Sequence, residues 1–264
     1  MRIVTLNCNG IRSAARKGLF AWLARQNADI LCLQETKAQH ADIQHDPAFF
    51  PAGWFVRFRD ALKKGYAGTA IYARRAPDAI IDTLGHPEFD DEGRYLEFRY
   101  GQLSVVSLYL PSGSAGPERQ ASKDRFLDFF LPKLREWHAS RRDYVICGDW
   151  NIAHRPIDLK NWRSNQKNSG FLPHERAWLD IVFGAPPQGI GWVDAYRALH
   201  PDHEGEAYTW WSNRGQAWAK NVGWRIDYQV ITPGLEPTLK AASVYKAERF
   251  SDHAPLIIDY DHDR

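Results

Sequence analysis

Cysteine is scarce in this sequence: among 264 residues only Cys8, Cys32 and Cys147 occur, and none forms a Cys-x-x-Cys pair. An odd set lying in or beside apolar runs argues against a disulfide framework and fits a reducing, cytoplasmic setting. Long apolar runs are missing too. No stretch approaches the roughly 20 apolar residues of a membrane span, and Asn7 and Asn9 interrupt the short apolar run at the N-terminus, which therefore does not read as a signal peptide. A charge excess is also lacking. Lys and Arg number 34 against 32 Asp and Glu, a net charge of +2, so the global basic signal of many nucleic-acid binders is absent and only a local basic face is left open. There is no linker, repeat or low-complexity tract.

What is present is a globular composition, 44% hydrophobic and 25% charged, long enough to bury a substantial core. Strand-like runs fall at 2–6, 28–34, 53–58, 67–73, 79–83, 94–99, 103–110, 143–148, 207–211, 225–231, 241–246 and 254–260. Helical spacing covers Ala15–Asn27, Glu118–His138 and Pro173–Val182, and Pro132 predicts a kink or break in the second. Strands outnumber dispersed helices. The expectation is a single α+β domain over 1–264, two sheets packed together with helices outside. The loop from Ile152 to Leu172 is long enough to suggest a function.

The apolar strands share an unusual ending. RIVTL runs into Asn7 and Asn9, DILCLQ into Glu35, SVVSL into Tyr109, YVICG into Asp149 and Asn151, and WRI into Asp227; Asp252 and His253 precede the last strand. Singly, each reads as a turn, a surface pair or core. Together they predict one polar site at one edge of the sheets. Residues i and i+2 of extended chain share a side, so Asp149 and Asn151 face one way and Trp150 the other. Asp252 and His253 need a bend or serve two neighbours. Glu35, Asp149, Asp227 and Asp252 are hard oxygen ligands, and Asn7, Asn9 and Asn151 add neutral ones. The set suits Mg²⁺ or Mn²⁺ rather than zinc, with His253 as the one well-placed histidine. Asn151 can donate to a developing negative oxygen, and His253, kept protonated by a carboxylate, can bond a phosphate oxygen.

In order along the chain, LNCNGIR, LQETK, LYLPSGS, CGDWNIA, GWRIDY and FSDHAP resemble the exonuclease III family of Mg²⁺-dependent AP endonucleases, from Met1 to about Tyr260. The resemblance implies a four-layer α/β sandwich, two mixed β-sheets between helices. It implies hydrolysis of the phosphodiester 5′ to an abasic site in double-stranded DNA, with Mg²⁺ as cofactor and Mn²⁺ able to substitute. It implies action as a monomer, and 3′-phosphodiesterase, 3′-phosphatase and 3′→5′ exonuclease action on blocked 3′ ends. Carried over, Glu35 is the main metal ligand with Asn7, Asn9 and Asp252 nearby, and Asp149, Asn151 and His253 complete the metal-facing set. Asp149 positions or deprotonates the attacking water, Asn151 helps hold it, Asp227 supports His253 at the scissile phosphate, and Tyr109 reaches the phosphate or leaving oxygen.

The same resemblance places Trp210, Trp224 and Ile226 around a flipped abasic sugar, and Asn165 and Asn168 on phosphates, with Arg12, Lys37, Lys64 and Tyr66 on the other side. Arg214 falls in the segment that enters the minor groove in relatives. Ser112 stands where relatives often carry a longer amide. Two rivals are a catalytically weak nucleic-acid-binding regulator of the same fold and a phosphoesterase of the same superfamily acting on inositol phosphates or sphingomyelin. The intact GDWN, LQETK and SDH argue against the first, and the Trp-rich 208–227 stretch against the second.

Overall fold

The computed structural model describes residues 1–262. Its strands are β1 (Arg2–Asn7), β2 (Ile30–Gln34), β3 (Phe55–Arg59), β4 (Thr69–Ala73), β5 (Ala79–Ile81), β6 (Tyr95–Tyr100) and β7 (Leu103–Tyr109). They continue as β8 (Asp143–Asp149), β9 (Val193–Asp194), β10 (Trp210–Trp211), β11 (Gly223–Trp224), β12 (Asp227–Ile231), β13 (Leu239–Val244) and β14 (Leu256–Tyr260). Two six-stranded sheets form, in the orders β13-β14-β1-β2-β4-β3 and β5-β6-β7-β8-β12-β9, and β10-β11 makes a separate ribbon. Each large sheet is mixed: its central pair, β1-β2 or β7-β8, is parallel, and the remaining pairs are antiparallel.

Strand parity sorts the apolar residues into three layers. Ile3, Cys32, Ile71, Phe98, Val105, Val145, Ile231 and Ile258 pack between the sheets. Val4, Leu6, Leu31, Leu33 and Tyr72 face the other way, onto the helices carrying Ile11, Leu19 and Trp22. Val106, Leu108, Ile146 and Val230 meet Phe126, Phe130 and Leu134 of one long helix and Trp178, Leu179 and Val182 of another. The result is the helix–sheet–sheet–helix sandwich. Both faces of the sheets are covered, so β2, β4 and β7 are buried along their whole length.

Some local expectations are corrected. The predicted helix over Ala15–Asn27 is two short helices, Ile11–Arg16 and Leu19–Leu23, because Gly18 takes a left-handed φ of 91° between them. Pro132 does not break its helix, which runs from Pro117 to Ala139. Burial of Phe126, Phe130 and Leu134, worth roughly 1.5–3 kcal/mol per large apolar side chain, outweighs the ~3 kcal/mol penalty of an interior proline. The run 225–231 is strand only from Asp227, where β12 begins; Gly223–Trp224 before it belongs to the ribbon, and the two-residue β9 has no sequence signal. The segment 152–172 is not bare loop. It holds a 3₁₀ turn, Pro156–Asp158, and a short helix, Trp162–Asn165.

Gly148 fixes how closely the central strands β7 and β8 approach the site. Its φ is +150°, and an added Cβ would lie 1.8 Å from the Leu108 carbonyl oxygen of the paired strand. Gly148→Ala is therefore expected to destabilise the protein by about 3 kcal/mol or more, combining overpacking and backbone strain. Urea unfolding checks this, and a parental midpoint would contradict it.

Candidate active site

Between the sheets, the inward-facing positions change character along each strand. Ile3, Thr5, Asn7 on β1, Ile30, Cys32, Gln34 on β2 and Val105, Ser107, Tyr109 on β7 all run from apolar to polar. So do Val145, Cys147, Asp149 on β8 and, in reverse, Ile231, Gln229, Asp227 on β12. The middle layer satisfies itself: Gln34 Nε2 donates to Ser107 Oγ at 2.9 Å, and Gln229 Nε2 donates to the Ile3 carbonyl at 3.0 Å. Beyond it the register aligns Tyr109, Asp149 and Asp227 side by side, opposite Asn7 and Glu35.

These groups are wired together. Asn7 Nδ2 donates to Glu35 Oε1 at 2.8 Å and to Asp149 Oδ2 at 2.9 Å, bridging the two sheets. Its Oδ1 accepts from the Asn9 amide at 3.0 Å. His253 Nδ1 lies 2.8 Å from Asp227 Oδ2, and its Nε2 is 3.8 Å from Asp149 Oδ2. Asp252 turns the other way, accepting from Asn9 Nδ2 at 2.9 Å and from Trp210 Nε1 at 3.1 Å. The adjacent acid and imidazole thus serve two sets of neighbours. Ser251 Oγ donates to the Asn7 carbonyl and accepts from the His253 amide, pinning the turn between them. Asn9, Glu35, Lys37 and Asn151 all have left-handed φ values, 43–52°, a conformation that costs a non-glycine residue about 1 kcal/mol or more.

Burial first, and then the neighbouring charges, set the electrostatics. Burial, helped by Asp227 and Glu35 and opposed by His253 and Asn7, raises Asp149 to about 7. Burial disfavours charged His253, but the Asp227 carboxylate, with Asp149 and Asp252, outweighs it and raises the imidazole to about 10. Burial pushes Glu35 up, yet the Lys37 charge and the hydrogen bonds from Asn7 and Lys37 leave it lowered. Burial and the Glu35 charge raise Tyr109 well above its usual range, even though the Arg94 guanidinium stacks 4.6 Å from its ring. Tyr109 and His253 are therefore both protonated at neutral pH.

The donor set fits a hard divalent cation. Glu35, Asp252 and Asn9 offer oxygens at the rim, the Lys37 ammonium already sits 2.8 Å from Glu35 Oε2, and Asp227 Oδ1 is buried with no hydrogen-bond partner. Asp149, Asp227 and His253 also bring ligand atoms within 4.8 Å of one another, a group that could hold a metal ion; the Asp227–imidazole hydrogen bond occupies Nδ1 and leaves Nε2 facing Asp149. Asn7 has both ends of its amide engaged, as Asn9 has through Asp252 and Lys37; the second lone pair of each oxygen is what remains for an ion. Asn151 Nδ2 donates to the Leu110 carbonyl at 2.8 Å and lies 3.2 Å from Asp149 Oδ2. Its amide nitrogen is spent, and its oxygen is the free end.

A cleft of about 1010 Å³ opens over this array, and its lining includes Asn9, Glu35, Lys37, Tyr109, Asp149, Asn151, Asp252 and His253. Ser112, Asn165, Asn168, Trp210, Arg214, Trp224 and Ile226 line it as well. Trp210 and Trp224 meet edge to face at 6.2 Å, whereas Trp211 and Trp218 pack together in a neighbouring cluster and do not line the cleft themselves. Arg12, Lys64 and Tyr66 are not part of the lining. Arg12 lies 3.8 Å from Asp42, Lys64 is exposed, and the Tyr66 hydroxyl accepts from Arg94 and Arg119. Among the described residues no helix is long and apolar enough to cross a membrane.

Residues 4–253 match the model of the Endonuclease/Exonuclease/phosphatase family. An exodeoxyribonuclease of Bacillus subtilis (strain 168) is 36% identical over 257 residues, covering 97% of this chain and 98% of that one. A DNA-(apurinic or apyrimidinic site) endonuclease of Dictyostelium discoideum is 36% identical over 262 residues, 97% of this chain and 69% of that one. An AP endonuclease structure from Archaeoglobus fulgidus superposes with a TM-score of 0.88 at 28% identity, covering 99% of this chain and all of that one.

The aromatic wall is held from behind by charges that the sequence does not announce. Arg225, two residues before Asp227, reaches other carboxylates. Its Nε is 2.7 Å from Asp158 Oδ1 and one terminal nitrogen 2.7 Å from Asp194 Oδ2, while Arg197 also reaches Asp158 at 2.6 Å. Burial raises Asp158, but Arg225 and Arg197 outweigh it and hold the carboxyl well below its usual range. Asp158→Asn removes the carboxylate that two buried guanidiniums share, leaving Arg225 with Asp194 alone and Arg197 with backbone carbonyls, and is expected to lower stability by roughly 3–5 kcal/mol at pH 7. A depressed folded pKa contributes stability above the ordinary carboxylate value of about 3.9 and loses it as pH falls further. Urea midpoints of parent and variant should therefore converge below about pH 4; a constant gap down to pH 3 would contradict the charge assignment.

Proposed function

This chain belongs to the Endonuclease/Exonuclease/phosphatase family, and we propose that it is a divalent-metal-dependent DNA repair nuclease that cuts the phosphodiester 5′ to an abasic site in duplex DNA. The observation that carries the reading is one continuous cleft with the carboxylate–imidazole array at its floor and Trp210, Trp224 and Ile226 on its wall. Relatives named as an exodeoxyribonuclease and an abasic-site endonuclease support it, and they make 3′ exonuclease action on the same floor part of the reading. Mg²⁺ is the proposed ion and Mn²⁺ its substitute, because hard carboxylate and carbonyl oxygens dominate the donor set.

Glu35, with Asp252 and Asn9, would hold the ion. When bound, it neutralises the crowded carboxylates and withdraws charge from the phosphate. The remaining work falls to this chain's own groups. Asp149 takes the proton of the attacking water, while the free Asn151 oxygen accepts that water's second hydrogen and orients it. His253, protonated and fixed by Asp227 at Nδ1, donates from Nε2 to a phosphate oxygen, where negative charge accumulates in the transition state. Tyr109, also protonated, donates to the phosphate or to the leaving oxygen, which departs as the P–O bond opposite the water breaks and ends as a hydroxyl with a proton from Tyr109 or the solvent of the cleft. Lys37, Asn165, Asn168 and Arg214, all on the cleft lining, would meet the DNA backbone. Preorganised donors aimed at one phosphorus are what so slow a hydrolysis needs, with accelerations reaching ~10¹⁷ in the best enzymes. An abasic sugar has no base to unstack, so its rotation into a Trp-lined pocket costs less than flipping an intact nucleotide.

The test is a labelled duplex with one tetrahydrofuran abasic analogue, incubated with Mg²⁺ and, as control, with chelator. The expected product is a single cut 5′ to the lesion that vanishes with chelator. Shortening from the 3′ end alone would make the protein chiefly an exonuclease, and binding without cleavage would turn the reading toward a regulator. Asp149→Asn and His253→Ala are each expected to lower kcat by about 10²–10⁴-fold with duplex affinity changed only severalfold. Unchanged turnover in either would remove that residue from the chemistry.

A further inference from the structure

Behind the cleft floor, and used by none of the roles above, lies an ion pair with no solvent exposure. Lys123 Nζ and Glu175 Oε1 are 2.6 Å apart, and both side chains are 0% exposed. Taking two charges out of water is a poor way to stabilise a fold, since apolar residues of similar volume usually do as well or better. What the pair holds is more informative. Lys123 Nζ donates to the Asn151 carbonyl at 2.8 Å. Glu175 Oε2 accepts from the Gly170 amide at 2.7 Å and the Leu172 amide at 3.0 Å. The Gly170 carbonyl in turn accepts from the Ala153 amide at 2.8 Å. The pair therefore fastens together Asn151, at the end of β8, and the segment that brings Asn165, Asn168 and Gly170 to the cleft.

Asn151 is also a residue that needs holding. Its φ is 52°, in the left-handed region, which asparagine enters more readily than other residues with a Cβ but which still costs free energy relative to the common regions. Lys123 grips the carbonyl of that same residue. Gly170 comes close enough that a Cβ there would lie 3.1 Å from the Asn151 carbonyl oxygen. An apolar pair could fill this volume, but it could not bond one backbone carbonyl and two backbone amides.

We propose that Lys123 and Glu175 form a positioning pair for the nuclease reaction: together they set the orientation of Asn151 at the scissile phosphate and its spacing from the DNA-facing 165–172 wall. This rests on the reading given above. Neither residue touches substrate, so the expected signature is a loss in kcat with little change in KM.

The test compares the parent with the double variant Lys123→Met/Glu175→Leu. Removing both charges together strands no ion but leaves the Asn151 carbonyl and the Gly170 and Leu172 amides without these partners, so the thermal midpoint should fall while the protein stays folded. On the abasic duplex kcat should fall about 10- to 100-fold, the range seen when supporting groups behind a site are removed, while KM moves by less than about threefold. A folded double variant with kcat within about twofold of the parent overturns the proposal, because the pair is then only structural. If the double variant does not fold, Glu175→Asp decides. It keeps the charge and shortens the arm, so a severalfold drop in kcat at parental KM supports the positioning role and parental kcat refutes it. Should the parent itself fail to cut the duplex, the nuclease reading fails instead. The pair is then judged by amide exchange: faster exchange at Gly170 and Leu172 in Glu175→Asp supports the strap, and parental exchange overturns it.

Discussion

The constraint on which the molecule depends is the two-residue period of its central strands. Alternate side chains of β1, β2, β7, β8 and β12 point into the space between the sheets, and along each strand that space changes from Ile or Val, through a hydroxyl, thiol or amide, to a carboxylate, carboxamide or phenol. One end of the interlayer is a dry core and the other is a polar floor, and the same five strands build both. A register slip of one residue in any strand would send its terminal polar group into a helix-covered face and an apolar residue into the site. Close packing of the core therefore enforces the alignment of Tyr109, Asp149 and Asp227.

That alignment sets up an electrostatic conflict. Asp149 and Asp227 are register partners on adjacent antiparallel strands, both buried, with Glu35 across the gap. Left alone, such a group would take up protons. Three devices oppose this: the imidazole of His253 on Asp227, the carboxamide of Asn7 shared between Glu35 and Asp149, and the ammonium of Lys37 on Glu35. They are incomplete, as the raised pKa of Asp149 shows. A site left short of positive charge, open to a cleft and rich in oxygen donors attracts a divalent cation, and the cation once bound would draw in a polyanion that the carboxylates alone repel, so this one conflict leads to both halves of the proposed chemistry.

Much of this is legible in the sequence because strand ends are local. RIVTLN, ILCLQE and YVICGD each show apolar alternation ending in a polar group, and their coincidence predicts a shared edge. The sandwich follows from more strands than helices and from runs apolar on both faces. Less local features escape. Gly18 is an isolated glycine in helical spacing, and only its left-handed φ turns one predicted helix into two. Arg12, Lys64 and Tyr66, DNA contacts by resemblance, lie outside the cleft lining, on surface that strand patterning does not address. The spent nitrogen of Asn151 depends on the Leu110 carbonyl, forty-one positions away in sequence. Lys123 and Glu175 did carry a signal: each opens an apolar stripe, Lys123 with Phe126, Leu127 and Phe130, and Glu175 with Trp178, Leu179 and Val182. A charged residue at an i, i+3, i+4, i+7 core position marks a buried partner.

The two buried charge clusters then share a physical reason. Asp158 with Arg197, Arg225 and Asp194 stands behind the Trp224 wall, and Lys123 with Glu175 stands behind Asn151. Both lie where irregular backbone turns inward to reach the cleft, leaving carbonyls and amides without a strand or helix partner. Such groups must be satisfied, and apolar packing cannot do it. Arg197 donates to the carbonyls of His200, Pro201 and His203, Asp158 accepts the Arg155 amide, and Glu175 accepts those of Gly170 and Leu172. Once a charged side chain is chosen for that task, it needs an opposite charge beside it to remain ionised out of water. The ion pairs are thus a consequence of building a precise site from loops, and their location maps which loops have to hold still.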